Sequence, residues 1–329
     1  MKRSITVILL LVISLANAQV SSAQSEKVGF IQWVEKTFFG FDSTYVYSYP
    51  TRLTLTLQNR TWRDMYTFDI DKENELEVKS NYLSDFSFSI GYSFLSLGYT
   101  LGMNKLTGDK DSKYDRFDLS LKCNMLALDL SSATNESETT LSATHDNQKS
   151  TYPFYGLKME MREGSLTYYF KYLKYSNEAA YSSCYPYRQI KNAGSPIIGI
   201  YYGEHDITCD LTKIPDEIEL NLHDEEKTKQ IRNRDICLNG GYGYNFVFAK
   251  GWLLNGTALP SIGLRIHDDE SSSKYQLATN SKIKGACTYN SRYFFGGLTF
   301  QYSTYWYITK GYTIKNSIGA CTINLGVRL

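Results

Sequence analysis

The stretch SDFSFSIGYSFLSLGYTLG, residues 84–102, alternates polar and apolar side chains and changes phase once. Apolar residues occupy even positions up to Tyr92 and odd positions from Leu95 onward. A two-residue turn at 93–94 would keep the apolar side chains of two antiparallel strands on one face, because cross-strand partners then have a constant odd sum of residue numbers. The partners predicted in this way are Tyr92/Leu95, Ile90/Leu97, Phe88/Tyr99 and Phe86/Leu101. This stretch therefore predicts a β-hairpin with one apolar face.

Three other tight turns show the same relation between turn length and phase. They are predicted at 124–125, 249–251 and 291–292. In the three-residue turn, Gly251 suits a left-handed backbone position. The partners predicted at the last two turns are Phe248/Trp252, Phe246/Leu254, Tyr289/Phe294 and Cys287/Gly296. Repeated hairpins of this kind predict an all-β chain of antiparallel strands.

The final strand, 313–329, has two chemically different faces. One face carries Cys321, Ile323, Leu325, Val327 and Leu329, and the other carries Thr322, Asn324, Gly326 and Arg328. Alternation of apolar and polar side chains over about ten residues is typical of a strand that crosses a membrane in a barrel. Outer-membrane barrels usually end on such a strand with an aromatic residue, and Leu329 departs from that habit.

The connections between the strands are short on one side and long on the other. Long polar connections are predicted near 103–114, 133–163, 209–233, 268–280 and 307–312. This asymmetry is typical of outer-membrane barrels, whose short turns face the periplasm. The connection 175–194 breaks the pattern, because it is long and lies on the short-turn side.

We therefore predict an antiparallel up-and-down transmembrane β-barrel of about 12 strands, within a range of 10–14. Segments 64–70 and 75–82 are the candidates for two further strands. The predicted strands are 51–60, 84–92, 94–102, 115–123, 126–132, 164–174, 195–208, 234–248, 252–267, 281–290, 293–306 and 313–329. A soluble β-sandwich remains the alternative, since its strands also alternate with the apolar face inward.

The N-terminus has the order of a secretory signal peptide. Lys2 and Arg3 precede a short apolar run, which ends at Ala16-Asn17-Ala18. The run is too short for a transmembrane helix, which needs roughly 20 apolar residues. We predict cleavage after Ala18 and export to the outer membrane of a Gram-negative cell. The predicted domains are a signal peptide at 1–18, a periplasmic lead-in at 19–50 with a short helix near 28–39, and a barrel at 51–329.

The composition favours strands and argues against nucleic-acid binding. The chain has 35 Lys+Arg against 34 Asp+Glu, which leaves no basic excess for a phosphate backbone. It is rich in aromatic residues, with 28 Tyr and 16 Phe, and these favour strands. The partners expected are outer-membrane lipids, the barrel-insertion machinery during biogenesis and a small solute. No nucleic acid and no cofactor are expected.

Several strings resemble a family of predicted outer-membrane proteins catalogued as domain of unknown function 4421. They are Phe41-Asp42-Ser43-Thr44-Tyr45-Val46, Lys174-Tyr175-Ser176-Asn177-Glu178-Ala179-Ala180-Tyr181, Gln189-Ile190-Lys191-Asn192-Ala193-Gly194-Ser195 and Gly241-Tyr242-Gly243-Tyr244-Asn245. The resemblance covers roughly 40–329. It implies the barrel fold and an outer-membrane location, and it implies no activity. It also suggests that 175–194 is a family feature, a long connection that folds into the lumen.

Two histidines are candidates for catalysis. His267 precedes Asp268 and Asp269, with serines at 271–273 nearby, as a Ser/His site on the outer face would require. His205 lies between Glu204 and Asp206. Solvated loops and charged strand ends explain both settings more simply, so no metal site is predicted and the sequence favours a protein that is not an enzyme. The other two histidines are His145 and His223, and His223 lies in the charged run Asp216 to Lys229, which is best explained as a solvated extracellular loop.

The six cysteines leave two readings open. They are Cys123, Cys184, Cys209, Cys237, Cys287 and Cys321. An even number in an exported chain permits disulfides. The spacings are wide and contain no CxxC, which favours small buried or lipid-facing hydrophobes. The pairing, if any, cannot be predicted from the spacing.

The inward-facing polar residues decide between an open and a closed lumen. They are predicted to be Asp85, Ser87, Ser89, Arg116, Asp118, Ser120, Lys122, Asn324 and Arg328. Mixed charges either line a narrow pore or close it with ion pairs, and a barrel of this size leaves little room. We therefore expect a narrow channel or a structural envelope component. The alternatives are an outer-membrane lipid-modifying enzyme and a soluble exported β-sandwich that binds a ligand.

Overall fold

A computed structural model describes most of the chain from residue 40 onward. The described ranges are 40–49, 53–69, 75–92, 95–102, 114–136, 138–145, 148–182, 185–213, 228–267, 274–308 and 313–329. The signal peptide and the helix predicted near 28–39 lie outside these ranges, so the predicted domain boundaries stay a prediction. The chain divides into two compact units, 1–40 and 41–329, and the second is described here.

The described residues form 17 strands, one short α-helix and one 3-10 turn at Leu211–Lys213. The helix α1 is Glu178–Tyr181. The strands are β1 (Val46–Ser48), β2 (Leu53–Asp69), β3 (Glu75–Ser80), β4 (Leu83–Tyr92), β5 (Leu95–Gly102), β6 (Tyr114–Lys122), β7 (Leu126–Asn135), β8 (Thr139–His145), β9 (Gln148–Phe154), β10 (Leu157–Tyr169), β11 (Tyr187–Gln189), β12 (Ala193–Asp210), β13 (Thr228–Ala249), β14 (Trp252–His267), β15 (Tyr275–Asn290), β16 (Phe294–Ile308) and β17 (Thr313–Arg328). None of the described helices is long and apolar enough to cross a membrane.

Fifteen of these strands form one antiparallel sheet. Its order is β6-β7-β10-β12-β13-β14-β15-β16-β17-β2, and it then branches along the long strand β2. The first part of β2 pairs with β4 and thereby with β5, while its last residues pair with β3, β8 and β9. The remaining two strands, β1 and β11, pair with each other.

The sheet curls round into a barrel. Arg60 of β2 donates a hydrogen bond of 3.0 Å to Asp118 of β6, at the far end of the strand order. Asn135 of β7 likewise reaches Asp64 of β2 at 3.4 Å. Twelve strands of the wall, β2, β4–β7, β10 and β12–β17, coincide with the predicted ones. The fold class, an antiparallel barrel of about 12 strands, is confirmed.

The outer face of the wall carries an apolar band. Its side chains are about half exposed, as with Ile200 at 59%, Leu325 at 60% and Phe88 at 48%. The band consists of Leu57, Phe88, Ile90, Phe117, Leu121, Leu166, Ile198, Ile200, Ile236, Leu238, Leu254, Ile262, Leu264, Ile283, Leu298, Phe300, Ile323 and Leu325. A contiguous apolar surface of this extent marks an interaction site or a membrane contact.

The alternation reverses where the strands leave this band. In β10 the inward side chains near the start are Leu157, Met159 and Met161, all buried, and the outward ones are polar. The same reversal places Ile207 and Cys209 of β12 in an interior cluster with Trp62, Tyr66, Leu76, Val78, Leu141 and Phe154. We call this part of the barrel the outer extension. It has the inside-apolar pattern of a water-exposed sheet.

The outer extension explains why one predicted connection is wrong. The range 133–163, expected to be a loop, contains the end of β7, all of β8 and β9, and the first half of β10. Outward side chains such as Lys158, Glu160 and Arg162 gave this range the polarity of a loop. The predicted segment 75–82 corresponds to β3, and the described residues 64–69 of the other predicted segment continue β2.

The predicted registers hold at two hairpins and fail in part at two others. All four partners predicted for β4 and β5 are confirmed, and Cys123 and Leu126 flank the turn at 124–125 as expected. Gly251 has the left-handed backbone, with φ of 85°. The partners predicted there are right for Phe246/Leu254 and wrong for Phe248/Trp252, because a bulge shifts the last pair to Ala249/Trp252.

The register predicted for the hairpin between β15 and β16 is wrong by two residues. Tyr289 pairs with Gly296 rather than with Phe294. The turn is longer than predicted because Ser291 closes it from within, its hydroxyl donating to the Phe294 carbonyl at 2.7 Å and its amide to the same carbonyl at 2.9 Å. A shift of two keeps every side chain on its predicted face.

Candidate functional site

The long connection between β10 and β12 folds into the barrel. Asn245, which faces inward from β13, donates to the Ser176 carbonyl at 3.0 Å and to Gln189 Oε1 at 2.9 Å. Asn290, inward from β15, donates to the Tyr185 and Tyr187 carbonyls at 3.2 and 2.7 Å. Hydrogen bonds from two strands of the wall, β13 and β15, place this segment in the lumen. We call residues 175–189 the plug, and the suggested inward fold of this connection is confirmed.

The last strand also holds the plug. Arg328 donates to the Tyr185 carbonyl at 2.5 Å and to Asn290 Oδ1 at 2.7 Å. Its other nitrogen donates to the Ser291 carbonyl at 2.6 Å, and its guanidinium lies 4.1 Å from the centre of the Tyr49 ring. The inward prediction for Arg328 is therefore confirmed, and its guanidinium joins the plug, the wall and Tyr49 through three hydrogen bonds and one ring contact.

Two glycines of the wall make room for tyrosines of the plug. A Cβ at Gly243 would lie 2.5 Å from the hydroxyl of Tyr175, and one at Gly297 would lie 2.5 Å from the hydroxyl of Tyr185. Tyr175 also accepts a hydrogen bond of 3.0 Å from Asn255 of β14. A larger residue at either glycine would force the facing tyrosine hydroxyl to move, because the two atoms would otherwise overlap in a close-packed interior.

A second segment covers the plug at the short-turn end. The strand β1 pairs with β11 of the plug, with Val46 opposite Gln189. The Asp42 amide donates to the Leu173 carbonyl at 2.7 Å, and the Ile190 amide donates to the Tyr45 carbonyl at 2.7 Å. Residues 41–49 are therefore part of the closed end rather than a detached lead-in.

Beyond the plug, the lumen holds a buried polar cluster. Glu163 Oε1 accepts hydrogen bonds of 2.5 Å from both Tyr201 and Tyr305. His205 Nδ1 lies 2.6 Å from the Tyr307 hydroxyl, and its Nε2 lies 3.1 Å from that of Tyr201. These contacts join β10, β12 and β16 across the interior. With both ring nitrogens engaged, His205 is satisfied in the way expected of a buried structural histidine.

An ion pair lies in the same layer of the lumen. Arg265 of β14 binds Asp235 of β13 through two hydrogen bonds, of 2.7 and 2.5 Å. The two residues are 1% and 0% exposed. Arg265 also donates to the Trp306 carbonyl at 2.5 Å, and its guanidinium lies 4.2 Å from the ring centre of Tyr307. Through these contacts the buried bidentate pair joins three strands of the wall, β13, β14 and β16.

Little space is left between the plug and this cluster. A cavity of about 30 Å³ lies there, and among its lining residues are Asp129, Thr167, Asn177, Tyr181, Lys282 and Lys284. Such a volume holds a few water molecules at most. In the part of the lumen that the structure describes, plug and polar cluster together close the way through.

The inward-facing polar residues predicted from the alternation are buried or form hydrogen bonds inside the barrel. Asp85 is buried, Arg116 binds Asp118 at 2.6 and 2.9 Å, and Ser120 donates to Asp129. The Lys122 ammonium donates to the Tyr181 carbonyl of the plug at 3.2 Å. The alternation thus found this face. It did not single out Asp235 and Arg265, which lie within predicted strands, and it missed Glu163, whose inward position follows from the same parity once β10 is extended to begin at Leu157.

Glu178 of the plug is a buried carboxyl group with little compensation. It is 3% exposed, and its Oε1 atom has no hydrogen-bond partner among the described residues. Burial raises the pKa of Glu178 to about 8, and the nearby Lys122 ammonium only partly opposes this. The neutral acid is therefore the form that suits the closed plug.

Replacement of Glu178 by glutamine is expected to stabilise the barrel at high pH. The unfolded chain releases this proton near the ordinary pKa of 4.5 and the folded one near 8, so stability falls as pH rises between these values. The Glu178→Gln barrel should match the wild type at pH 4 and unfold at higher urea concentration than it at pH 9. Glu160→Gln, at an exposed carboxylate, is the control. Equal pH dependence of wild type and Glu178→Gln would contradict the assignment.

Both histidine candidates face the interior. His205 and His267 flank Asn233 in one cross-strand row, and both are buried. His267 Nε2 has no hydrogen-bond partner among the described residues. Asp268, Asp269 and the serines at 271–273 lie outside those residues, as does His223, so a catalytic role for either candidate stays a prediction. His145 ends β8.

The other candidate chemistry can be located only in part. No group of three or more His, Cys, Asp or Glu that would hold a metal occurs among the described residues. Five cysteines, Cys123, Cys209, Cys237, Cys287 and Cys321, are free thiols, and Cys184 lies outside the described ranges. Cys321 is exposed within the outer face of β17, as the alternation predicted.

A family model described as "Domain of unknown function (DUF4421)" matches residues 41–329. The chain belongs to this family. The match begins where the covering segment begins and includes the whole wall and the plug. The strings that carried the resemblance to DUF4421 meet in the closed end: two of them form the plug and its exit, and a third supplies Gly243 and Asn245, which contact it.

Solved structures similar to this DUF4421 chain are outer-membrane proteins. The outer-membrane protease OmpT from Escherichia coli has a TM-score of 0.37 and 8% identity, covering 86% of this chain and 99% of that one. The translocator domain of the autotransporter NalP from Neisseria meningitidis has a TM-score of 0.35 and 8% identity, covering 85% and 89%. OprG from Pseudomonas aeruginosa has a TM-score of 0.26 and 10% identity, covering 86% and 98%. No curated protein matches the sequence significantly.

Proposed function

We propose that this protein is an outer-membrane β-barrel that is closed by its own plug and acts as a structural component of the Gram-negative envelope. The observation that carries the proposal is the hydrogen bonding of the plug to several walls of the lumen, from Asn245, Asn290 and Arg328. A narrow channel that opens when the plug is displaced is the second form of the same proposal. The few water molecules that fit above the plug favour the closed form.

The apolar band supports the placement in a membrane. Its side chains lie on the outer face while the same strands turn polar side chains inward, which is the pattern of a barrel in lipid. The hydrogen-bonded ladders that run from β6 round to β5 satisfy the backbone groups between neighbouring strands, as lipid requires. Under this proposal the short turns and the plug face the periplasm, and the outer extension faces the outside of the cell. Export by a signal peptide cleaved after Ala18 belongs to the same proposal.

Two measurements on the wild-type protein test the proposal. The outer-membrane fraction is run on a detergent gel unheated and boiled, and the band is expected to shift, because a folded barrel binds less detergent than the unfolded chain. Purified protein in a planar bilayer is then expected to show no single-channel steps. Recovery without detergent and without a heat shift would contradict the barrel, and steady hydrolysis of phospholipid or lipopolysaccharide would contradict a structural role.

A further inference from the structure

Basic side chains are concentrated at the short-turn end of the barrel. The exposed and half-exposed ones are Lys171, Lys174, Arg188, Lys191, Lys250 and Arg292. Asp42 is the one acidic side chain at this end that is not buried, among the residues that the structure describes. The full chain carries 35 basic and 34 acidic side chains, so this end holds a local excess that the rest of the chain balances.

Three of these cations lie against tyrosine rings. The ammonium groups of Lys174 and Lys191 lie 5.1 and 5.3 Å from the ring centre of Tyr45. The Arg188 guanidinium lies 5.2 Å from the ring centre of Tyr47, which is 42% exposed. We call these five residues the basic–aromatic surface. Cation–π contacts of this geometry orient the cationic groups beside an exposed aromatic face.

This surface covers the mouth of the barrel and not only its lipid-facing rim. Arg188 also lies 5.9 Å from the ring centre of Tyr49, whose hydroxyl donates to the Asn290 carbonyl at 2.9 Å. Arg328, which faces inward, lies over the same tyrosine. Arg188 and Tyr47 therefore lie next to side chains of the inner face, over the mouth of the lumen.

The single acid of this end does not cancel its charge. Asp42 accepts hydrogen bonds from the Thr44 hydroxyl at 2.7 Å and the Thr44 amide at 2.9 Å. These bonds, with Lys174 and Lys191 nearby, hold the pKa of Asp42 below its usual value. One acidic side chain against six basic ones leaves an excess of positive charge among the side chains of this end, which favours an anionic partner and raises its rate of association.

We propose that the basic–aromatic surface binds peptidoglycan. The inference rests on the proposed outer-membrane placement, which turns the short-turn end toward the periplasm. Peptidoglycan is the extended polyanion of that compartment, with free carboxylates on its peptide stems and apolar faces on its amino sugars. Lys174, Arg188 and Lys191 would pair with the carboxylates, and the exposed face of Tyr47 would pack against a sugar.

Co-sedimentation with purified sacculi tests the proposal. Folded barrel in detergent is expected to pellet with the sacculi, and less of it as salt is raised, because exposed charges are screened. The variant Lys174→Glu/Arg188→Glu/Lys191→Glu is expected to bind at least tenfold more weakly. The matched control, Lys158→Glu/Arg162→Glu/Arg232→Glu, reverses three exposed charges of the outer extension and should bind like the wild type.

Three readouts separate the outcomes. Equal binding by both triple variants, or no binding by the wild type, would overturn the proposal. Flotation of the wild type with vesicles of phosphatidylethanolamine and phosphatidylglycerol, without binding to sacculi, would assign the surface to lipid phosphates instead. The heat shift of each preparation shows that the barrel is folded. Absence of the heat shift in the wild type would contradict the outer-membrane placement, and so would be distinguished from a failure of peptidoglycan binding. The milder Lys174→Gln/Lys191→Gln variant replaces the triple one where that fails to fold.

Discussion

A barrel whose plug is replaced by a short Gly-Ser linker is expected to conduct ions across a planar bilayer, where the intact protein is silent. The replacement of 175–189 is sterically simple, because β10 and β12 are neighbours and Tyr169 already pairs with Ile197. The wall has twelve strands, between the eight that side chains fill and the sixteen to eighteen that leave a water channel. Without the plug, its polar partners Asn245, Asn255 and Asn290 would line a hydrated lumen.

The control for this experiment disturbs the same end without opening it. An equal Gly-Ser insertion after Lys250, in the turn between β13 and β14, leaves every plug contact in place and should stay silent. Both proteins must show the heat shift of a folded barrel. A folded, plug-deleted barrel without single-channel steps would mean that the polar cluster around Glu163 and His205 closes the lumen by itself.

Removal of Arg265 is expected to destabilise the barrel by about 3–5 kcal/mol, the cost of leaving a buried charge without its partner. Asp235 would keep only the weak bond from Asn280 at 3.4 Å, and the contacts to the Trp306 carbonyl and the Tyr307 ring would be lost. The double variant Arg265→Met/Asp235→Leu removes both charges and should recover most of the loss. The measurement is the urea midpoint of the folded fraction, scored by heat shift.

An exposed pair gives the comparison. Arg232 and Asp206 form an ion pair of 3.0 Å on the outer extension, with side chains 56% and 32% exposed. Arg232→Ala is expected to cost less than about 1 kcal/mol, because water and salt screen such a pair. A similar loss of unfolding free energy in Arg265→Ala and Arg232→Ala would contradict a stabilising role for the buried pair Asp235–Arg265.

The wall of the barrel could be predicted because alternation is a local property of the chain. The parity of Phe86 to Leu101 determined the register of β4 and β5, and the parity of β17 placed Arg328 inside. The outer extension was missed because its polarity is the inverse of that in the membrane band: Lys158 points outward and Met159 inward. The polar outward side chains made this strand resemble a loop. Composition alone does not distinguish the two.

The only sequence signal for the site was the unusual length of one connection. The connection 175–194 was too long for its side of the barrel, and this pointed to the plug. Its partners are distant in sequence: 105 residues separate Asn290 from Tyr185, and 102 separate His205 from Tyr307. No local pattern encodes such pairs, so the flanking charges of His205 suggested a strand end where the structure has a buried cluster.

The contact between Arg328 and the plug carries a consequence for the order of assembly. The Tyr185 carbonyl is held by a side chain of β17, which pairs with β16 on one side and β2 on the other. The plug therefore cannot make this contact before β17 has taken its place in the wall. A barrel in which β17 had not yet paired would lack the Arg328 contacts, so the fully held plug is a property of the assembled wall and of no single strand.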